Sequence, residues 1–254
     1  MNIFRLWLLS SIFVLCGIGG LTSCSSDDDP VSLEIITDGV WEKGVLPGSF
    51  CVNSDGLRVQ FAQGNLQYQP STNTWRFARH QYDIVGDATN GNVFENGMKC
   101  DNAEIGDGYN GWIDLFGWGT GLDPTLDTMT AEDYITFAEW GDHQILNSTD
   151  IEWRALTNDE YVYLFHDRAN AASLFAFGSV DNVNGVILLP DDWTTPAGLT
   201  FTASTTKGLE WNGTYYVNNN ADNFTHNTYT ADEWTVMESA GAVFLPAGGY
   251  REGS

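Results

Sequence analysis

Two four-residue signatures set the scale of regular structure that this chain can build. Thr157-Asn158-Asp159-Glu160 and Thr230-Ala231-Asp232-Glu233 each place a threonine hydroxyl where it accepts the backbone amide three residues on. In each, the glutamate returns to the threonine amide, so both are helix-opening capping boxes. Each leads into a short apolar face. Tyr161, Leu164 and Phe165 follow the first, with Arg168 toward its end; Trp234 and Met237 follow the second, with Gly241 as the stop. Thr130-Ala131-Glu132-Asp133 is a weaker third start, ahead of Tyr134, Phe137 and Ala138.

Short apolar runs with strand character, Val186-Ile187-Leu188-Leu189 and Ala242-Val243-Phe244-Leu245, are each closed by proline. Leu57 to Phe61 alternates, and Leu66 to Gln69 and Trp75 to Phe77 flank the turn-forming Pro70 to Thr74, which predicts a hairpin. Leu33 to Ile36 is a further short strand, and 87–110, rich in Gly, Asn and Asp without a period, reads as a long surface loop. Short helices, hairpins and long loops in this mixture indicate an α+β domain rather than alternating βαβ units.

Charge excludes one class of partner. The chain of 254 residues carries 34 Asp and Glu against 10 Lys and Arg, a net charge of -24. Binding to nucleic-acid phosphates depends on neutralisation by Lys and Arg, so DNA and RNA are set aside. Hydrophobic residues make up 43% and charged residues only 17%, too apolar for a solvated acidic tail, and the chain should fold.

The amino terminus reads as an export signal. One cation, Arg5, precedes an apolar run through Ile18, with no acid before Asp27. The run is shorter than the roughly 20 residues that span a bilayer as a helix. Leu21-Thr22-Ser23-Cys24 follows at once and resembles the lipobox of bacterial lipoproteins, in which Cys24 takes the lipid and becomes the first residue. Two or three acyl chains, at about 0.8 kcal/mol per methylene, would hold such a protein stably on a membrane. Ser25 to Pro30 is an acidic spacer, similar in position to the export signal of surface-exposed Bacteroidetes lipoproteins; a plain solvated tether explains it too. The chain is thus divided into a signal (1–23), a lipidated tether (24–47) and a domain (48–254). Processing removes Arg5 and no acid, leaving nine cations against 34 anions.

Processing also sorts the cysteines. Cys16 leaves with the signal and Cys24 carries lipid, so Cys51 and Cys100 remain, either as a disulfide suited to an oxidising compartment or as buried thiols.

Several segments, in order, resemble a known group. Trp153-Arg154-Ala155-Leu156-Thr157-Asn158-Asp159-Glu160-Tyr161 is similar to a motif of C-type-lectin-like domains of the formylglycine-generating-enzyme group, nearest to the Fibrobacter major paralogous domain (FISUMP) of Bacteroidetes surface lipoproteins. Phe61 to Tyr68 resembles their amino-terminal hairpin, Gly111 to Thr120 their Trp-rich loop, and Val183 to Pro190 and Ala242 to Arg251 two later strands. The resemblance implies a C-type-lectin-like fold on the outer-membrane surface. It also implies closing strands beyond the Gly-Tyr-Arg element at 249–251, so the expectation is a domain lacking its carboxy-terminal strands. The enzymes of this group use late cysteines with copper, and this chain has none after Cys100. The expected function is therefore non-catalytic: binding or adhesion, with glycans as a candidate ligand. The alternative is a structural or accessory subunit docking onto a surface protein, and an oxidase of the formylglycine-generating type is a distant third.

Candidate sites are few. His80, His143, His166 and His226 show no metal-binding spacing, and paired acids such as Asp191-Asp192 are expected by chance in so acidic a chain. No catalytic residue is assigned. Asp181, Asn184 and Asp191 form a candidate calcium set, because they supply oxygen ligands around a predicted strand and the group often carries structural calcium. A plain turn accounts for the same residues. Trp112 and Trp118 straddle a glycine-rich loop and make a candidate ligand platform, although core packing is the favoured role. Trp153, Trp193 and Trp234 are read as core.

Overall fold

The computed structural model describes residues 13–16, 35–36, 40–84, 111–114, 138–143, 145, 151–203, 210–211, 216–217 and 224–248. In chain order the strands are β1 (Phe13–Cys16), β2 (Ile35–Ile36), β3 (Val40–Trp41), β4 (Phe50–Cys51), β5 (Arg58–Phe61), β6 (Leu66–Gln69), β7 (Thr74–Phe77) and β8 (Trp153–Ala155). Helix α1 (Asn158–Val162) follows, then β9 (Phe175–Val180), β10 (Val183–Leu188), β11 (Glu210–Trp211), β12 (Tyr216–Val217) and β13 (Thr228–Tyr229). Helix α2 (Ala231–Ser239) and β14 (Val243–Pro246) complete the order. The architecture is mixed α+β, with short helices and small sheets.

Both capping boxes form as read. Thr157 accepts from the Glu160 amide and Thr230 from the Glu233 amide, and each glutamate returns to its threonine amide. Helix α1 does not continue as an α-helix, because it widens into a π-helical turn over Tyr163–Asp167 that buries Leu164 and Phe165. Helix α2 buries Trp234 and Met237 and stops at Gly241, whose φ of +100° suits glycine. The weaker start at Thr130 lies outside the described residues, as does the 87–110 loop.

Two four-stranded sheets organise the interior. The order β13-β9-β10-β14 is built on a tight hairpin, in which Val180 pairs with Val183 across Asp181 and Asn182. These two residues have φ of 47° and 67°, the signature of a two-residue type I′ turn. The second sheet, β4-β5-β1-β8, places β1 between β5 and β8, antiparallel to both. The sequence reads that segment as the apolar centre of an export signal. The same run of Phe, Val, Leu and Cys is equally competent as an interior strand of a sheet.

Side-chain alternation assigns each sheet face to a hydrophobic cluster. Val186 and Leu188 of β10 and Val243 and Leu245 of β14 enter one cluster with Phe50, Val59 and Phe61 of the other sheet. The intervening residues Ile187 and Phe244 face a second cluster with Trp234 and Met237 of α2. Trp153 of β8 faces a third, with Leu66, Tyr68, Trp75 and Phe77 of the β6-β7 hairpin. The molecule is therefore layered, and the two sheets share the first cluster between them. Trp41 and Leu46 belong to that shared cluster, at 4% and 0% exposure. Trp41, Val45 and Leu46, in the segment read as tether, are thus buried with the residues that follow it.

Candidate functional site

The predicted site residues fall in three places. Trp112 sits beside the β6-β7 hairpin, held there because Ile113 and Tyr68 exchange backbone hydrogen bonds of 2.7 and 2.8 Å. It is half-buried and packs on the cluster that contains Trp75, Trp140 and Trp153. The Arg76 guanidinium lies 3.6 Å from its ring centroid, and Arg76 Nε donates to Gln67 Oε1 at 2.8 Å. Burial lowers the Arg76 pKa, and the nearby Asp83 charge opposes that shift. Around them, Tyr68 meets Trp75 at 4.6 Å, and His143 stacks on Trp75 at 4.5 Å with an interplanar angle of 18°. Along β7, Trp75 turns inward to this cluster while Arg76 turns outward, so the Arg76–Trp112 pair lies on the other face of the hairpin from Trp75 and its His143 partner.

One face of Trp112 is thus occupied by a cation, an interaction worth ~0.5–1 kcal/mol at an exposed site. A planar ligand stacking on that face would have to displace Arg76. A polar ligand spanning Trp112 and the guanidinium would use both groups at once. The expected core role of Trp112 is met in part, since its ring packs on the cluster while part of it stays accessible. Trp118 lies outside the described residues.

The candidate calcium set is not brought together. Asp181 is in the I′ turn before β10, and its amide donates to the Tyr229 carbonyl at 3.0 Å. Asn184 lies within β10, where its carbonyl accepts from Ala247 at 2.8 Å. Asp191 follows the other end of that strand, past about 13 Å of β10 beyond Asn184 at a rise of ~3.3 Å per residue. Among the described residues no group of three His, Cys, Asp or Glu side chains is placed to hold a metal ion. The turn explains Asp181 and Asn182, and the strand explains Asn184.

Asp191 has a different task. Its Oδ2 accepts from the Cys51 amide at 2.8 Å and pairs with Arg58 Nη1 at 3.1 Å, while Oδ1 pairs with Arg168 Nη1 at 3.1 Å. The Arg168 side chain is 2% exposed and also donates to the Leu164 and Leu174 carbonyls. Burial lowers the Arg168 pKa, and Asp191 opposes that shift. A single carboxylate following β10 therefore ties both sheets together through β4, β5 and the π-helical turn. Sequence spacing shows none of this, because the partners are far apart along the chain.

Cys51 is a free thiol, half-buried, with Sγ 3.2 Å from the Asn53 carbonyl oxygen and 4.0 Å from the Tyr163 hydroxyl. Burial, reinforced by that contact with Cys51 and by Asp191, raises the Tyr163 phenol. Cys100 and the lipid-bearing candidate Cys24 lie outside the described residues. Trp153 and Trp234 are core as read, at 3% and 1% exposure. Trp193 is partly buried against the α2 cluster, its indole N–H donating to Thr195.

The sequence reading missed the buried amides that fasten loops to the sheets. Gln81, 2% exposed, donates to Glu238 and accepts from the Phe244 amide. Asn227, 3% exposed, bonds the Phe177 carbonyl and both backbone groups of Thr202. Comparison with protein-family models, with curated proteins and with solved structures found no match.

Proposed function

We propose that this chain is a lipoprotein anchored on the outer membrane, surface-exposed, whose C-type-lectin-like domain binds a ligand without catalysing a reaction. The observation that carries the anchor is the placement of Leu21-Thr22-Ser23-Cys24 directly after an apolar run too short to span a bilayer. Binding is supported by the exposed Arg76 guanidinium lying 3.6 Å from the centroid of the half-buried Trp112 ring, which packs on an aromatic cluster. A glycan is the ligand class that such a surface suits: the accessible part of an indole for its apolar face, with the Arg76 guanidinium for its hydroxyls.

Glycan-array binding by the processed protein tests this reading. Trp112→Ala should lower binding at least tenfold while the circular dichroism stays native. Absence of binding to any glycan, together with co-purification of a surface polymer, would sink it in favour of an accessory subunit. That second reading draws support from the β4-β5-β1-β8 sheet, whose interior strand lies in the segment read as an export signal. The anchor is tested separately: Cys24→Ala should abolish lipid labelling and shift the protein out of the membrane fraction.

A further inference from the structure

The interior position of the β4-β5-β1-β8 sheet is held by Phe13–Cys16, part of the segment that export would remove. Val14, Leu15 and Cys16 lie opposite Phe61, Gln60 and Val59, while Phe13, Val14 and Leu15 lie opposite Ala155, Arg154 and Trp153. Because β1 is antiparallel to both neighbours, β5 and β8 run parallel to each other. With strands ~4.8 Å apart, the two walls stand roughly 9–10 Å from one another, too far to pair directly.

Both walls are pinned from their outer sides. On β5, the Phe61 carbonyl accepts from Leu46 at 2.9 Å, and the adjoining Gln63 amide donates to Gly44 at 2.8 Å. On β8, the Ala155 amide donates to Glu139 at 3.1 Å, and Arg154 is held by Glu160 through two bonds of 2.6 and 2.7 Å. Gly141 backs so closely onto β8 that a Cβ there would lie 1.4 Å from the Trp153 carbonyl oxygen. Neither wall can simply slide across to close the gap.

The outer contacts also show which groups face inward. Backbone groups alternate along a strand, so with Phe61 and Ala155 bonded outward, Gln60 and Arg154 turn their N–H and C=O toward the position of β1. Buried side chains line both faces of that position: Val59 and Phe61 on one, Trp153 on the other, at 2%, 1% and 3% exposure with β1 in place. Without a strand there, two inner edges and two apolar faces are open. Among the described residues every other strand already has a partner in its own sheet, so none is spare to fill it.

We propose that the processed chain carries an open strand slot between β5 and β8, filled by an apolar β-strand of a second polypeptide. The donor supplies at least four extended apolar residues, antiparallel to both walls, as the segment Phe13–Cys16 is here. The proposal rests on the export reading in one respect, that residues 1–23 leave the chain, and it deepens the accessory-subunit alternative by naming the docking site.

The test uses the lipidated protein extracted from membranes, with its intact mass measured first. A labelled peptide of residues 11–18 is titrated onto it, alongside the same peptide carrying Val14→Pro, which removes the N–H that would bond to Arg154. The native peptide should bind saturably at one per chain and slow hydrogen exchange at the Gln60 and Arg154 amides at least tenfold. The proline peptide should bind at least tenfold more weakly. The slot is disproved if the processed chain fails to bind the peptide or binds both peptides equally. It is also disproved if Gln60 and Arg154 are already protected without any donor. An intact mass that still includes residues 1–23 overturns the proposal differently, by showing that the export reading fails and that the occupant is the chain's own segment.

Discussion

The two four-stranded sheets share a hydrophobic cluster yet are assembled in different ways. In β13-β9-β10-β14, the central hairpin closes on a two-residue turn, and both faces are covered by residues of the domain itself. In β4-β5-β1-β8, the walls are contributed by segments far apart in sequence, and the interior strand is a piece of the amino-terminal apolar run. The lesson is that a core can be shared while its two boundaries differ in autonomy. One sheet is built wholly from residues 175–246, and the other takes its interior strand from residues 13–16.

Substitution at the heart of the autonomous sheet should have the largest effect. Ile187, 0% exposed at the centre of β10, touches the cluster packed by α2. Ile187→Ala should cost about 4 kcal/mol in chemical denaturation, the range for truncating a fully buried aliphatic side chain. If the sheets differ as described, the loss is the same with and without residues 1–23. A loss that depends on those residues would break the comparison.

The joint between the sheets comes next. Asp191→Ala leaves the Arg168 guanidinium buried without its carboxylate and frees both Arg58 and the Cys51 amide. Breaking a pair of this kind costs ~3 kcal/mol, somewhat less where one partner is part-exposed. Asp191→Asn should cost less than the alanine variant, because it keeps an acceptor for the Cys51 amide. Equal losses in the two variants would mean that charge, not the amide bond, carries the joint.

A smaller effect sits at the start of α1, where Glu160 holds Arg154 of β8. Burial alone would raise the Glu160 carboxyl, but hydrogen bonds from Arg154 and Thr157, with the Arg154 charge, outweigh it and hold the group below the usual carboxylate range. A carboxyl depressed in the folded state contributes stability above its unfolded pKa of ~4.3, and loses it as pH falls through the lower folded value. Thr157→Ala should cost about 1 kcal/mol at neutral pH and make acid unfolding begin at a higher pH. Thr230→Ala removes the equivalent cap from α2 at a similar cost but leaves Arg154 paired, so the β8 wall should be undisturbed.

What the sequence revealed was what is local. The capping boxes, the β6-β7 hairpin and the proline-closed strands all depend on residues within a few positions of one another, and each appears where the pattern placed it. The Trp41 and Leu46 anchors were missed because a mixed segment next to an acidic spacer carries no period. The role of Asp191 was missed because its partners Cys51, Arg58 and Arg168 come together only in three dimensions. Phe13–Cys16 shows a different limit: an apolar run satisfies an export signal and a buried strand equally, and hydrophobicity alone does not choose between them. The candidate ligand platform was half legible, since Trp112 stood out but the Arg76 that covers it did not.

Once the amino-terminal segment is gone the two sheets should differ in autonomy, and amide hydrogen exchange of the processed protein reads that difference. Amides of β9 and β10 should exchange only through global unfolding, while those of Gln60 and Arg154 should exchange at least a hundredfold faster through an unpaired inner edge. Equal protection of the two sets in a chain shown by mass to lack residues 1–23 would mean that both sheets are complete without that segment.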